Sequence, residues 1–225
     1  MDVNKSFVDP AEDLLTNSLG TLNVLNGAIK VGVSHFVYIT SGGAIYDSNQ
    51  PLPVTETGNL KPLSPYGISK LSGEFYVQAL CEQSKIEWSS LALSNCYGPV
   101  SVHKSGVIFE WWNGLRNGKV ININGLDTSR DFIFITDVVR AIHMVLERPV
   151  NRRINISSGI ETSLGELFTH LTGVMGVTAT PLIKELPKGE IHRSTLDNTV
   201  AKTTIGWIPE IALKEGITLS LSGNF

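Results

Sequence analysis

The sequence predicts an α/β fold, on three observations. Phe36-Val37-Tyr38-Ile39-Thr40-Ser41 is a β-rich apolar run that ends in Gly42-Gly43, as a buried strand opening into a glycine loop does. Trp88 to Leu93 repeats that design and ends in Ser94-Asn95-Cys96-Tyr97-Gly98-Pro99. Helical patterns precede and separate the two. Open α/β sheets bind ligands outside the carboxyl ends of their strands, so these two polar edges mark a candidate site.

In order along the chain, Leu15, Leu19, Leu22, Leu25 and Ile29 recur at helical spacing between Pro10, suited to a first turn, and Gly32, suited to a C-terminal cap. A second stripe of Asn17, Thr21, Val24 and Ala28 predicts that this helix buries two faces. Residues 47–63, with Pro51, Pro53 and Pro62, cannot hold regular structure and read as an active-site loop. Ser64 can cap the helix that Pro65 opens; it runs to about residue 82 with Leu71, Phe75 and Leu80 as apolar contacts. Further on, 107–115 reads as helix, 120–123 as strand, 127–131 as loop, 136–146 as an amphipathic helix and 153–156 as strand. A helix over 164–171 breaks at Gly173-Val174-Met175-Gly176, and a polar closing region holds a short helix over 199–205.

The residues that carry chemistry stand at the start of the Pro65 helix. Tyr66 and Lys70 are one helical turn apart, so phenol and ammonium project from one face. A nearby cation favours phenolate and moves the phenol towards the operating pH, where it can take a proton from a hydroxyl or return one. The bland alternative is a solvated helix face.

Composition narrows the classes. With 225 residues, 42% of them hydrophobic, the chain can bury one core and a small second lobe. A net charge of −3 without a basic stripe argues against nucleic acid. No apolar stretch nears bilayer length and the first residues lack a signal-peptide core, so no membrane partner is expected and cytoplasm is the default. Cys81 and Cys96 read as small core residues, and the five scattered histidines predict no metal site.

Five segments in order, Ser41-Gly42-Gly43-Ala44-Ile45-Tyr46, the Tyr66/Lys70 pair, Asn95-x-Tyr97-Gly98-Pro99, Arg130-Asp131-Phe132-Ile133 with Asp137-Val138-Val139, and Gly206-Trp207-x-Pro209, carry a resemblance. The chain resembles an extended short-chain dehydrogenase/reductase of the NAD-dependent epimerase/dehydratase group, which works on nucleotide sugars. The resemblance implies the C-terminal part of a Rossmann-type doubly wound parallel sheet over 1–98 and 132–156. It also implies a small α/β substrate-binding lobe over 99–131 and 157–225. It makes Tyr66 the acid/base and Lys70 the holder of the nicotinamide ribose, with Ser41 or Thr40 supplying the aligning hydroxyl. Many members place that hydroxyl where this chain has Gly42. Asn17 falls near the cofactor, and Asn95, Arg130, Gly42, Gly43 and Arg193 fall at the substrate, a UDP-sugar by preference. Lys188 joins Arg193 among the basic residues, while Pro187 and Ala92 stand where arginines are common. Trp111, Trp112 and Trp207 read as packing. A homodimer through helices 10–31 and 66–82 is also implied.

The family's dehydratases carry Asp-Glu where this chain has Gly43-Ala44, so an epimerase is expected. A dinucleotide domain of this type opens on a strand, a Gly-x-x-Gly-x-x-Gly turn and a helix that holds the pyrophosphate. That turn is missing from the sequence, so the chain reads as a truncated piece of a longer enzyme with impaired NAD binding. The rival reading is a catalytically silent protein that uses its two apolar helices to assemble.

Overall fold

The computed structural model describes residues 3–99, 106–187 and 190–222. The chain enters through α1 (Val3–Val8), α2 (Pro10–Leu14), a π-helical turn (Leu15–Leu19) and α3 (Gly20–Val31). Asp9 caps α2 by accepting the Glu12 N–H at 2.9 Å, and Gly32 ends α3 in the left-handed conformation at φ 71°. The wider π turn shifts the phase of the helix. Asp13, Ser18 and Leu25 are the residues it buries, while Leu15 and Leu19 are 54% and 43% exposed. The expected leucine stripe therefore fails in its first half, where a 3.6-residue period no longer applies.

Three strands form the main sheet: β1 (His35–Ser41), β2 (Glu87–Leu93) and β6 (Arg153–Ile156), in the order β1-β2-β6 and all parallel. Register pairs Phe36 with Trp88 and Leu91 with Ile154. One face packs on α3 and α5 (Pro65–Ser84) through Leu25, Tyr38, Val77, Cys81 and Trp88. The other packs on α7 (Ile135–Glu147) and α9 (Thr199–Ile205) through Leu91, Ile154, Ile156, Val138, Ala141 and Trp207. A parallel sheet covered on both faces is the predicted architecture.

A second group of elements follows β2. β3 (Asn95–Tyr97) pairs in parallel with β5 (Ser129–Phe134), which pairs antiparallel with β7 (Glu161–Ser163). β4 (Asn122–Asn124) pairs with β8 (Leu182–Lys184). Around them, α6 (Val107–Arg116), α8 (Leu164–Met175) and α10 (Leu213–Ser222) bury Trp111, Ile123, Phe132, Leu167, Leu171 and Ile217.

Several expectations need correction. Residues 127–131 are not all loop, because β5 begins at Ser129. Its polar residues are buried and partnered: Ser129 donates to Glu161, and Asp131 accepts from Ser158 and Gly159. Helix α8 continues past Leu171 to Met175 and stops at Gly176, φ 65°, the last residue of the expected break. Helix α10 closes the chain where a polar coil was expected. Phe75 is exposed, and Cys96 is exposed on a cavity wall while Cys81 is a core residue. No helix among the described residues is long and apolar enough to cross a membrane.

Candidate active site

The carboxyl ends of β1 and β2, the first turns of α5 and strand β5 enclose a cavity of about 750 Å³. Ser41 leaves β1 in extended conformation (φ −123°, ψ 101°) and opens the short helix α4 (Gly42–Ile45). Ser64 caps α5 by accepting the Gly67 N–H at 3.1 Å. A Cβ on Gly67 would lie 2.3 Å from the Ala44 carbonyl oxygen, so only glycine lets α5 start hard against α4. That close approach brings Tyr66 beside Ser41. Gly67 was not among the expected site residues, although it sits between the two that matter most.

Lys70 is clamped from two sides. Its Nζ donates to the Ile39 carbonyl at 2.7 Å and lies 5.1 Å from the Tyr38 ring centroid, while the Tyr38 hydroxyl donates to the Lys70 carbonyl at 3.0 Å. Burial lowers the Lys70 pKa, and the negative charge of Asp13 opposes that. For Tyr66, burial raises the pKa, the Ser41 hydroxyl pulls it part of the way back by hydrogen bonding, and Asp13 pushes it up again. The downward pull expected from Lys70 does not govern the phenol; desolvation does.

Of the expected site residues, Thr40, Ser41, Tyr66, Lys70, Asn95 and Arg130 all line this one cavity. The Thr40 hydroxyl is buried and has no hydrogen-bond partner among the described residues, a polar atom left for something in the cavity to satisfy. Arg130 donates to the Ser129 and His192 carbonyls at 2.8 and 3.4 Å. Its neighbour Asp131 turns away from the cavity and accepts four bonds from Ser158, Gly159 and Leu196, so the two form no ion pair. Burial lowers the Arg130 pKa and Glu190, on the same wall, raises it.

Four expected residues stand elsewhere. Arg193 is held by Glu161 in a two-pronged ion pair, both contacts at 2.6 Å, and does not line the cavity. Asn17 turns its amide to Asp13 at 2.9 Å. Gly42 is buried beneath Leu196, whose Cδ1 lies 2.3 Å from where a Cβ would be. Gly43 sits beside Asn95, with the Asn95 Oδ1 3.8 Å from its Cβ position. Lys188 lies outside the described residues. Asp13, fully buried between α2 and α5, was missed; the polar period 13, 17, 21 was the signal that would have found it.

The model of the NAD dependent epimerase/dehydratase family matches residues 1–157. The chain belongs to this family. It is 34% identical over 96% of its length to a UDP-glucose 4-epimerase of Mycolicibacterium smegmatis, of which it covers 71%. The crystal structure of a Thermotoga maritima UDP-glucose 4-epimerase with UDP-glucose matches 98% of the chain and 72% of that protein at 35% identity, with a TM-score of 0.94. A Thermus thermophilus UDP-glucose 4-epimerase in complex with NAD matches 98% of the chain and 73% of that protein at 27% identity, TM-score 0.88. In this chain Tyr66 and Lys70 of α5 and the segment from Asn95 to Pro99 line one cavity.

Proposed function

We propose that this chain carries the acid/base and sugar-binding machinery of a nucleotide-sugar epimerase acting on a UDP-sugar. The observation that carries the reading is the convergence of Ser41, Tyr66, Lys70, Asn95 and Arg130 on one cavity. In this reading the Tyr66 phenol exchanges a proton with a ring hydroxyl of the sugar, and the Ser41 hydroxyl aligns that hydroxyl and the phenol together. Arg130 meets the diphosphate, a task suited to a guanidinium that stays charged when buried, and Asn95 supplies a neutral hydrogen bond beside it. The loop over α4 carries no carboxylate, so it offers no acid and base for loss of water, which favours epimerisation over dehydration.

The residues present fit the nicotinamide end of NAD: Lys70 and the unpartnered Thr40 hydroxyl border the cavity where a ribose would hydrogen-bond. A bound NAD would supply the hydride acceptor and donor. The sequence holds no glycine-rich turn for the pyrophosphate, so the 225 residues alone bind NAD weakly. We also assign a homodimer to the surface of α2, the π turn, α3 and α5, where Leu14, Leu19, Val24, Ile68, Phe75 and Tyr76 are exposed on helices packed side by side. Leu71 is buried in a cluster with Ile45, Tyr46, Val54, Ala92 and Leu196, so charge belongs at Leu19 or Phe75 to split such a dimer.

The test is interconversion of UDP-glucose and UDP-galactose with added NAD, by the chain itself and by the chain joined to the glycine-turn segment of a relative. The joined protein should turn over, and Tyr66→Phe should cost it about 10²–10⁴-fold. A Tyr66→Phe variant within about threefold of the parent would remove the phenol from the mechanism.

A further inference from the structure

Beside the Tyr66–Lys70 pair, and not among the residues that line the cavity, lies a charge that the proposed chemistry does not use. Asp13 is fully buried. Its Oδ2 accepts the Ser69 hydroxyl at 2.5 Å and its Oδ1 accepts the Asn17 amide at 2.9 Å. Ser18, next along the π turn, donates to the Ser69 carbonyl at 3.2 Å. Asn17 and Ser18 both lie in the π turn: Asn17 bonds to Asp13, while Asp13 and Ser18 each meet α5 at Ser69, between Tyr66 and Lys70. A buried carboxylate is costly unless it is hydrogen-bonded and opposed by a cation. Its hydrogen bonds among the described residues are to neutral groups, which leaves a compensating cation to be sought across the helix contact.

Lys70 is the cation that fits. The other charged groups on the elements packed against this stretch of α5 are exposed, paired or remote. Lys5, Glu12 and Lys30 are exposed, Glu74 pairs with Arg153 at 2.5 Å, and His35 and Glu87 sit at the opposite end of the sheet. Tyr38 and Tyr66, the remaining titratable groups against Lys70, carry no charge in their phenol form. The effect of Asp13 on both Lys70 and Tyr66 agrees with this placement.

We infer that Asp13 is a positioning residue of the Tyr66–Lys70 pair: it pins the first turns of α5 through Ser69 and serves as the buried counter-charge of the Lys70 ammonium. The inference deepens the proposed function and rests on its assignment of Tyr66 and Lys70. Its test needs neither sugar nor cofactor, so it can fail while that assignment stands.

Asp13→Asn removes the charge and keeps the shape, since Asn17 can turn its amide oxygen to the new NH₂. Acylation of Lys70 by an amine-specific reagent is followed against pH by mass spectrometry, with exposed Lys85 as internal reference. Opposite charges close together shift a pKa by about one unit or more, so Lys70 in Asp13→Asn should acylate about tenfold faster than in the parent below its midpoint. Lys85 should be unchanged. A merely structural aspartate would lower the melting temperature and leave the Lys70 midpoint where it was.

A double-mutant cycle in urea covers the case in which Asp13→Asn does not fold alone. Lys70→Met strands the carboxylate, so the Asp13→Asn/Lys70→Met double variant should unfold at a urea midpoint no lower than either single variant. An unchanged Lys70/Lys85 profile in a folded Asp13→Asn protein overturns the inference. So does a double variant whose losses simply add, or one that fails to fold.

Discussion

The two halves of one helix contact are built from opposite materials. Where α2 and the π turn meet the start of α5, the buried groups are Asp13, Ser18 and Ser69, joined by directed hydrogen bonds. Two to three turns further, where α3 meets the later part of α5, Leu25 packs in one cluster with Val77, Cys81, Ile86 and Trp88. Apolar packing is non-directional and tolerates small slips of one helix along another. Hydrogen bonds to a buried carboxylate do not, because a shift of an ångström breaks them. The polar half therefore fixes the rotation and height of Tyr66 and Lys70, and the apolar half supplies the stability that lets it be polar.

The largest effect expected from this division is on stability in the apolar half. Leu25→Ala removes a fully buried side chain and should lower the unfolding free energy by about 2–5 kcal/mol in urea denaturation, with the Lys70 acylation profile unmoved. If that profile moves with Leu25, the halves are not separable.

Next comes Ser69→Ala, which leaves Asp13 with one hydrogen bond fewer in a buried place. Its cost should be about 1.5–3 kcal/mol, since the acceptor is charged. A loss below about 0.5 kcal/mol would mean that the polar half is not held by this bond.

The smallest effect concerns the two cysteines, Cys81 in the apolar half and Cys96 on the cavity wall outside the helix contact. Burial pushes the Cys81 thiol up to about 11, from an ordinary value near 9, whereas Cys96 is exposed on the cavity wall. In the folded chain at pH 8 a disulfide reagent should modify Cys96 first and reach Cys81 only on unfolding. Because the folded state favours the protonated thiol, the Cys81 contribution to stability is full below pH 9 and fades as pH rises from about 9 to about 11. Equal reaction rates for the two thiols in folded protein would contradict the apolar packing of Cys81.

Much of this was legible in the sequence because it is local. The Ser64 cap, the Pro65 start and the Tyr66/Lys70 spacing each need only a few consecutive residues, and all are found in α5. Strands β1, β2 and β6 and helix α7 follow from apolar runs and a helical period. Strand β5 did not, because Ser129 and Asp131 look like loop residues until their partners are known. The Arg193 assignment rested on position in a family pattern, and a carboxylate 32 residues away in sequence holds it instead.

By itself the sequence determined the α/β class, the strand ends that border the cavity and the helical Tyr66/Lys70 pair to which we assign the chemistry. These depend on backbone geometry and on periods of two to four residues, which neighbours in the chain impose. Only the tertiary structure decided which polar groups meet. Asp13 reaches Ser69 across 56 residues, Asp131 takes donors from 27 to 65 residues away, and Lys70 finds the Ile39 carbonyl across 31. A charge acquires its partner from packing, and packing brings together residues whose separation along the chain no local pattern encodes.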